Sequence, residues 1–211
     1  MLLSTSLTAK TIVLTLNNSH TIRTEVNSDS VDSAIRRLNY LDLKLKKGKI
    51  IYLVLDTPGG SVFAGNRLIT FAKSLGREVK TISIFSASMG FQIVQALGER
   101  LAVQDAILMA HPGATQCSGN IYEILPCVYR LKKFDDLMTK RAAKRLKMDV
   151  KKYREMIRYE KWWMDVDLVK EGVIDRIVGI KCSKKLRMSS YVIKSSNIFT
   201  PDQKVSACPL M

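Results

Sequence analysis

The stretch VKTISIFSASMGFQIVQALG, residues 79–98, joins a strand-sized apolar run directly to a helix-like segment. The seam between the two holds three small or hydroxyl-bearing residues, Ser86, Ala87 and Ser88. A serine at such a seam is either the cap of the following helix or a nucleophile. The residues around the stretch decide which interpretation has chemical support.

Buried strands and helices alternate on both sides of this stretch. Upstream, KIIYLVLD (residues 49–56) is apolar on both faces, as a buried parallel strand would be. TPGG breaks that strand, and a helix capped by Ser61 and ended by Gly76 follows. Downstream, RLAVQDAILMAH (residues 100–111) predicts one or two short strands. This alternation predicts an α/β fold, in which ligands bind where DTPGG, SASMG and AHPG lie, at the carboxyl ends of the strands.

The outer parts of the chain predict further elements around this centre. A long helix is expected from Ile121 to about Met148, with Pro126 in its first turns. After Cys182 the chain is polar and basic, and we expect this tail to be partly ordered at best. Other elements are expected at residues 11–17 (strand), 28–48 (helix), 150–160 (helix) and 173–179 (strand).

Composition indicates one globular domain. The chain has 211 residues, of which 46% are hydrophobic and 25% charged. No apolar run reaches the length of a membrane span, and the first residues lack the layout of a secretory signal, so we expect a cytoplasmic protein with no membrane partner. The cysteines show no metal spacing, and we expect buried or idle thiols. They are Cys117, Cys127, Cys182 and Cys208.

The net charge of +15 is concentrated between Arg130 and Arg158, where twelve Lys or Arg residues stand against four acids. Such an excess of positive charge can bind nucleic acid or an acidic partner, or can form a surface that contacts only solvent. Aromatic residues are sparse in this run and no nucleic-acid-binding motif appears. A solvated helix face is therefore the preferred interpretation, and nucleic acid is not expected as a partner.

Ser88 needs a base if it is to act as a nucleophile, because a serine hydroxyl is weakly nucleophilic until its proton is removed. The chain has two histidines. His20 follows the first strand in a turn-like setting without catalytic neighbours, whereas His111 ends a strand at the same predicted edge as Ser88. A carboxylate must then hold the imidazole, and spacing alone leaves five candidates open. These are Glu155, Glu160, Asp165, Asp167 and Glu171.

A nucleophile of this kind also needs backbone N–H donors for the oxyanion. Gly59 and Gly60 follow a strand, and glycine lets the backbone approach a substrate closely. The N–H of Met89 is the natural second donor because it directly follows Ser88. Each signal is weak alone, but together they favour nucleophilic chemistry at one sheet edge.

With these residues in these positions, the sequence resembles the proteolytic subunit of the Clp protease (ClpP) family, of the ClpP/crotonase superfamily. The similarity covers roughly Thr11 to Gly179. YLVLDTPGGSVFAG resembles the strand and glycine-rich loop of that family, and KEGVIDRIVG resembles its closing segment. The most specific part is the serine in A-S-M-G followed by a histidine that ends the next strand.

The resemblance implies a role for each matching residue. Ser88 would be the nucleophile and His111 the general base, while the loop at Gly59–Gly60 and the N–H of Met89 would bind substrate and the oxyanion. The family's acid is an aspartate, and its position here is held by Glu160, which is a departure. Asp165 is the second choice.

The resemblance also implies a fold of repeated ββα units with a protruding handle strand and helix, at about residues 113–147. The protease domain would span residues 1–182, followed by the tail at 183–211. The chain would be a serine endopeptidase acting on unfolded or extended polypeptide inside a homo-oligomer of stacked rings. No cofactor is needed for the chemistry, and an AAA+ unfoldase remains open as a partner.

Several alternatives stay open at the level of sequence. The short N-terminus and unmatched tail fit a divergent or virus-encoded member as well, such as a capsid-maturation protease in the host cytoplasm. A relative of signal peptide peptidases would use a lysine base, for which Lys132, Lys133 and Lys140 are candidates. The departure at Glu160 fits a catalytically inactive assembly subunit. An acyl-CoA enzyme of the crotonase branch would not need the serine and histidine.

Overall fold

The computed structural model describes residues 10–193 and 201–211. Residues 1–9, at the start of the predicted protease domain, and residues 194–200, in the predicted tail, lie outside the described part. The strands are β1 (Thr11–Leu14), β2 (Ser19–Ile22), β3 (Ile51–Thr57), β4 (Val79–Ala87), β5 (Arg100–Ala110), β6 (Lys161–Met164), β7 (Arg176–Ile177), β8 (Gly179–Cys182), β9 (Ser190–Ile193) and β10 (Gln203–Ser206). The helices are α1 (Ser28–Lys44), α2 (Val62–Ser74), α3 (Met89–Ala96), α4 (Ile121–Arg145), α5 (Val150–Met156), α6 (Asp167–Lys170) and α7 (Lys184–Met188).

The predicted α/β fold is confirmed, and its centre is a six-stranded sheet. The strand order is β2-β3-β4-β5-β6, with β7 pairing with β5 outside this path. Neighbouring strands are parallel except β6, which runs antiparallel to β5. Because β3, β4 and β5 are parallel neighbours, the loops that follow them emerge at the same edge of the sheet. These loops begin with Pro58, Ser88 and His111.

Each face of the sheet has its own apolar core. Leu53 and Leu55 of β3 point into the larger core, which α1, α2, α3 and the C-terminal half of α4 cover. Val54, between them in sequence, points to the opposite face and joins the smaller core with Leu14 of β1 and Leu186 of α7. Burial on both faces explains why β3 is apolar along its whole length.

Helix α4 is only half embedded in the molecule. It begins with a capping box, in which the Asn120 side chain accepts the N–H of Tyr122 at 2.9 Å and Glu123 accepts the N–H of Asn120 at 2.7 Å. Met138 and Ala142 are buried against the core, whereas the apolar side chains of the first turns are exposed. We call residues 114–129 the outer handle, because they project from the body of the chain.

The handle strand is absent from the described chain. Residues 111–120 carry no strand, and α4 begins directly after them at Ile121. A strand needs a neighbour for its backbone N–H and C=O groups, and no described segment pairs with this one. The capping box at Asn120 starts the helix instead.

The expectation of buried or idle thiols is wrong. Two disulfides join the four cysteines, with Cα–Cα distances of 6.1 Å for Cys117–Cys127 and 5.8 Å for Cys182–Cys208. The first lies within the outer handle and the second fastens the tail to the end of β8. The sequence spacing did not indicate either pair, because the turn of the handle and the return of the tail bring the thiols together.

The described part of the tail, residues 183–193 and 201–211, is ordered. It forms α7 and the antiparallel pair β9–β10. The Arg23 guanidinium of the loop after β2 donates to the carbonyl oxygens of Ser206, Cys208 and Met211 at 2.9–3.2 Å. Backbone carbonyls, which carry no sequence signal, therefore hold the tail on the body.

Candidate functional site

Ser88 occupies a strained turn between β4 and α3. Its backbone has φ 53° and ψ −115°, a conformation that costs a non-glycine residue about 1–3 kcal/mol. The turn is held by the N–H of Ser88, which donates to Met109 O at 2.9 Å. The Ser88 side chain makes no capping hydrogen bond to α3. The hydroxyl is therefore free for another partner, and the capping interpretation is not supported.

The partner of the Ser88 hydroxyl is His111. Its Nε2 lies 2.8 Å from Ser88 Oγ, within the range for direct proton transfer. The contact follows from the register of the sheet, in which Ala87 of β4 pairs with Met109 of β5. The residues that follow these strands are therefore neighbours although they are 23 positions apart in sequence.

The glycine-rich loop after β3 closes the other side of Ser88. A Cβ on Gly59 would lie 2.6 Å from Ala87 O and 2.6 Å from Ser88 Cβ, so only glycine fits there. Both Gly59 and Gly60 have positive φ, at 99° and 136°. The N–H of Gly59 donates to Thr57 Oγ1 at 3.2 Å.

Two backbone donors beside Ser88 are free. Within residues 10–193 and 201–211, neither the N–H of Gly60 nor that of Met89 has a hydrogen-bond acceptor in the protein. Met89 is the first residue of α3, so the positive end of the helix dipole adds to its N–H. These two donors have the chemistry that stabilises a developing oxyanion.

The acid of the expected triad is not in contact with His111. Within the described residues, the His111 side chain is hydrogen-bonded only to Ser88. Glu160 is exposed, and its Oε2 accepts the Trp162 indole N–H at 3.3 Å. Strand β6 pairs Lys161 with Ala110, so the backbone of Glu160, the residue before Lys161, lies near that of His111, the residue after Ala110. The Glu160 side chain is directed to Trp162 and not to the imidazole.

Asp165, the second choice, is at the wrong end of β6. The preceding residue, Met164, pairs with Ile107, four residues before His111. At about 3.3 Å per residue, this places Met164 about 13 Å along the strand from His111, and Asp165 lies one residue further away. The sequence could not separate the two acids, because β6 was not predicted as a strand.

Ser88 and His111 line a cavity of about 60 Å³, together with Gly60 and Met89. The cavity also contains two residues that the sequence analysis missed, Gln92 and Asp135. Gln92 lies one helical turn after Ser88 and is, with Gln95, one of two polar residues in an otherwise apolar buried helix, which was a usable signal. Asp135 lies on α4 and was hidden by the surrounding basic run.

The alternative lysine bases lie away from this cavity. Lys132, Lys133 and Lys140 are all exposed and none lines it, so none has the desolvation that a neutral lysine requires. A larger cavity of about 880 Å³ lies between β2, α1 and the tail, and contains His20. Burial, and secondarily the charge of Arg37, lower the pKa of His20 to about 4. That cavity holds no serine–histidine contact, so we assign the site to the smaller one.

Comparison with known proteins finds similarity to one family. The family model described as Clp protease matches residues 5–181. The chain is 29% identical over 163 residues to the ATP-dependent Clp protease proteolytic subunit of Streptococcus mutans, covering 72% of this chain and 80% of that protein. It is 27% identical over 157 residues to the subunit of Borreliella afzelii, covering 73% and 79%. It is 26% identical over 164 residues to subunit 1 of Bacillus cereus, covering 76% and 84%. No described helix has the length and apolar character needed to cross a bilayer.

Proposed function

This chain belongs to the Clp protease family, and from that premise we propose that it is a serine endopeptidase acting on extended polypeptide. Family membership implies a peptidase. The observation that carries the serine mechanism is the 2.8 Å contact between Ser88 Oγ and His111 Nε2. Free backbone donors beside that contact support the same chemistry.

In the proposed reaction, Ser88 Oγ attacks the carbonyl carbon of the scissile bond while His111 Nε2 takes the hydroxyl proton. The N–H groups of Gly60 and Met89 bind the oxyanion of the tetrahedral intermediate. His111 then returns the proton to the leaving amine, which gives an acyl-enzyme on Ser88. Water, deprotonated by His111, hydrolyses the ester and restores the serine.

We propose Glu160 as the acid that orients His111. Glu160 and His111 are the residues next to the Lys161–Ala110 pair of the ladder, so we propose that rotation of the Glu160 side chain brings its carboxylate to the imidazole. In the structure the Glu160 carboxylate accepts a single hydrogen bond from Trp162, 3.3 Å long and at an exposed position. Rotation of Glu160 would then complete a Ser-His-Glu triad.

We infer that the chain works as a homo-oligomer of stacked rings with the reacting groups inside. Support comes from the outer handle, where Tyr122 is 84% exposed, Leu125 59% and Tyr129 61%. Apolar side chains that protrude together mark a protein–protein contact. An ATP-driven unfoldase that feeds polypeptide to the rings is part of this proposal, and the relatives' names include "ATP-dependent".

The test is covalent labelling combined with peptide cleavage. A fluorophosphonate should label the assembled protein on Ser88, and Ser88→Ala should lose both labelling and cleavage of a fluorogenic peptide by at least about 1,000-fold. Ser86→Ala is the matched control, because that hydroxyl is buried and, among the described residues, its hydrogen-bond partner is Ser83 Oγ at 3.0 Å rather than His111. Cleavage retained by Ser88→Ala would refute the assignment.

One observation favours a second function, an inactive assembly subunit. No carboxylate in the described chain holds the His111 imidazole, and an unoriented imidazole is a poorer base. The same experiment separates the two functions. A protein that assembles but neither reacts with the fluorophosphonate nor cleaves peptide would be the assembly subunit.

A further inference from the structure

The cavity beside Ser88 extends away from the reacting groups into a polar pocket. Ser88, His111 and Gly60 line it on the catalytic side, and Gln92, Asp135 and Thr139 bring polar groups to it from α3 and α4. A water molecule needs about 10–15 Å³ measured in the same way, so about 60 Å³ holds the few heavy atoms at the end of a side chain.

Gln92 presents an unused hydrogen-bond acceptor. The residue is 7% exposed, and its Oε1 is buried without a hydrogen-bond partner among the described residues. Gln95 on the same helix is the contrast: its oxygen accepts Arg100 Nη1 at 2.8 Å and its amide donates to Val173 O at 2.9 Å. A buried acceptor without a donor costs about 1–3 kcal/mol, which a donating ligand would recover.

The Tyr153 hydroxyl, behind Gln92, is likewise buried without a partner in good hydrogen-bond geometry. Burial is the main cause that raises the pKa of Tyr153. The negative charge of Asp135 raises it further, while the nearby Gln92 amide lowers it. The three groups therefore lie close enough to influence one another.

Asp135 supplies that negative charge at the cavity. One of its oxygens accepts the N–H of Gly113 at 2.8 Å, and within residues 10–193 and 201–211 it forms no ion pair. The adjacent Asp136 is the contrast, because it pairs with Arg154 on α5. A carboxylate that has no cation beside it in a small, partly buried cavity favours the binding of a positively charged group.

The remaining walls are apolar. Met138 and Ile157 line the cavity and are 5% and 3% exposed. Such walls suit the aliphatic stem of a long side chain whose charged end reaches a polar group. The combination of apolar walls, an unpaired carboxylate and an unused amide oxygen matches lysine in particular.

Building on the proposed peptidase, we propose that this cavity receives the side chain of the residue whose carbonyl Ser88 attacks, the P1 residue, and that it selects lysine. The aliphatic stem lies between Met138 and Ile157, and the ammonium donates to Asp135 and to Gln92 Oε1. Asp135 and Gln92 are then specificity-determining residues, and the substrates are polypeptides cleaved after a basic residue.

The test uses two fluorogenic peptides that differ only at P1, with lysine or with norleucine, which keeps the stem and lacks the ammonium. The lysine peptide should have a kcat/KM at least about 10-fold higher. Asp135→Asn should reduce this lysine-to-norleucine ratio by about 10-fold, because it removes the charge at constant size. Asp136→Asn is the matched control and should leave the ratio unchanged, because Asp136 is absent from the cavity lining and pairs with Arg154.

Two outcomes would overturn the preference. One is faster cleavage of the norleucine peptide by the unmodified protein. The other is an equal loss on both peptides in Asp135→Asn, because a residue that only holds the Gly113 loop would slow every substrate alike.

A binding measurement separates this inference from the proposed hydrolysis. Fluorescence anisotropy would compare product peptides ending in lysine or norleucine on the unmodified protein. Tighter binding of the lysine product without turnover of either substrate would support the cavity preference and refute the peptidase. Cleavage of both substrates with equal product affinities would support the peptidase and refute the preference.

Discussion

The folded body and the outer handle differ in how much of their structure one chain supplies. At the body's sheet edge, a Cβ added to Gly59 would lie 2.6 Å from Ala87 O and from Ser88 Cβ, so the chain itself packs closely around the serine. In the outer handle, Tyr122 is 84% exposed and Leu125 59% exposed. The chain therefore brings Ser88 and His111 together by itself, whereas the apolar side chains of the handle are exposed.

The largest expected effect concerns the body's sheet edge. His111→Ala should lower kcat/KM for peptide cleavage by about 1,000-fold or more, because Ser88 loses the base 2.8 Å from its hydroxyl. Steady-state kinetics on the assembled protein measures this loss. His20→Gln is the matched control, because His20 lies in β2 and lines the other cavity. Similar losses in both variants would mean that the effect is structural rather than catalytic.

The second prediction contrasts the two disulfides. Replacing Cys182 and Cys208 by serine should reduce the free energy of unfolding by about 3–4 kcal/mol, since the pair closes a long loop, with a sequence separation of 26, over the smaller core. The same change at Cys117 and Cys127 should reduce it much less. The outer handle packs little against the body and can open locally without global unfolding.

Denaturant titration of the oxidised proteins measures both changes. Thiol alkylation with mass spectrometry, done first, establishes that all four cysteines of the unmodified protein are paired. Equal losses of unfolding free energy for the two double variants would mean that the outer handle unfolds together with the body.

The third prediction tests how tightly the body encloses Ser88. Gly59→Ala should lower kcat/KM by about 100-fold, because the new methyl group would displace the loop from Ala87 O and Ser88 Cβ. Gly76→Ala is the matched control, since a Cβ there has no heavy atom within 4 Å and φ is not positive. Kinetics and a thermal melt of both variants separate misplacement of the loop from unfolding. Unchanged kinetics in Gly59→Ala would show that the loop does not position the reacting groups.

These contrasts also explain which parts of the molecule the sequence could predict. The loops after β3, β4 and β5 meet because these strands are parallel neighbours, and the alternation of buried strands with helices already predicted a parallel arrangement. Whether Ser88 caps α3 depends on its own φ and ψ angles, which the residue type does not determine. Glu160 matched the family's acid by position, yet the direction of its side chain depends on Trp162, a neighbour in a four-residue strand too short to recognise.

The sequence did not predict the site residues that helix–helix packing brings to the cavity from other parts of the chain. Asp135 enters the cavity only because α4 packs its C-terminal half against α3, and it lies in a basic run that includes the exposed Lys132 and Lys133. Gln92 could have been noticed, since an amide in a buried helix needs a partner. Its lack of a partner is visible only in three dimensions.

The fourth prediction concerns the surface that the handle leaves uncovered. Tyr122→Asp with Leu125→Asp should raise the dissociation constant of the oligomer by about 30-fold or more, because charges would be buried in an apolar contact. The body's thermal stability should change little, as both residues are exposed. Sedimentation velocity over a range of concentrations measures the assembly.

Leu43→Asp is the matched control, because Leu43 is an exposed apolar residue on α1, 74% exposed and outside the handle. Unchanged assembly in the handle variant would refute the outer handle as the contact. Loss of assembly in Leu43→Asp would indicate that the oligomer contact involves α1.

The smallest effect is a pH dependence that belongs to the body alone. The pKa of His20 is lowered to about 4, mainly by burial and secondarily by Arg37, so the unfolded chain takes up this proton more readily than the folded one. The stability it contributes is present above its unfolded pKa of about 6.5 and falls as pH drops toward 4. The free energy of unfolding of the unmodified protein should fall by about 1 kcal/mol between pH 7 and pH 5.5, and that of the His20→Gln variant should fall less. The Glu99 carboxylate, whose pKa Arg176 chiefly lowers to about 2, loses its contribution only below about pH 4.5, so thermal melts from pH 7 to 5.5 isolate the histidine.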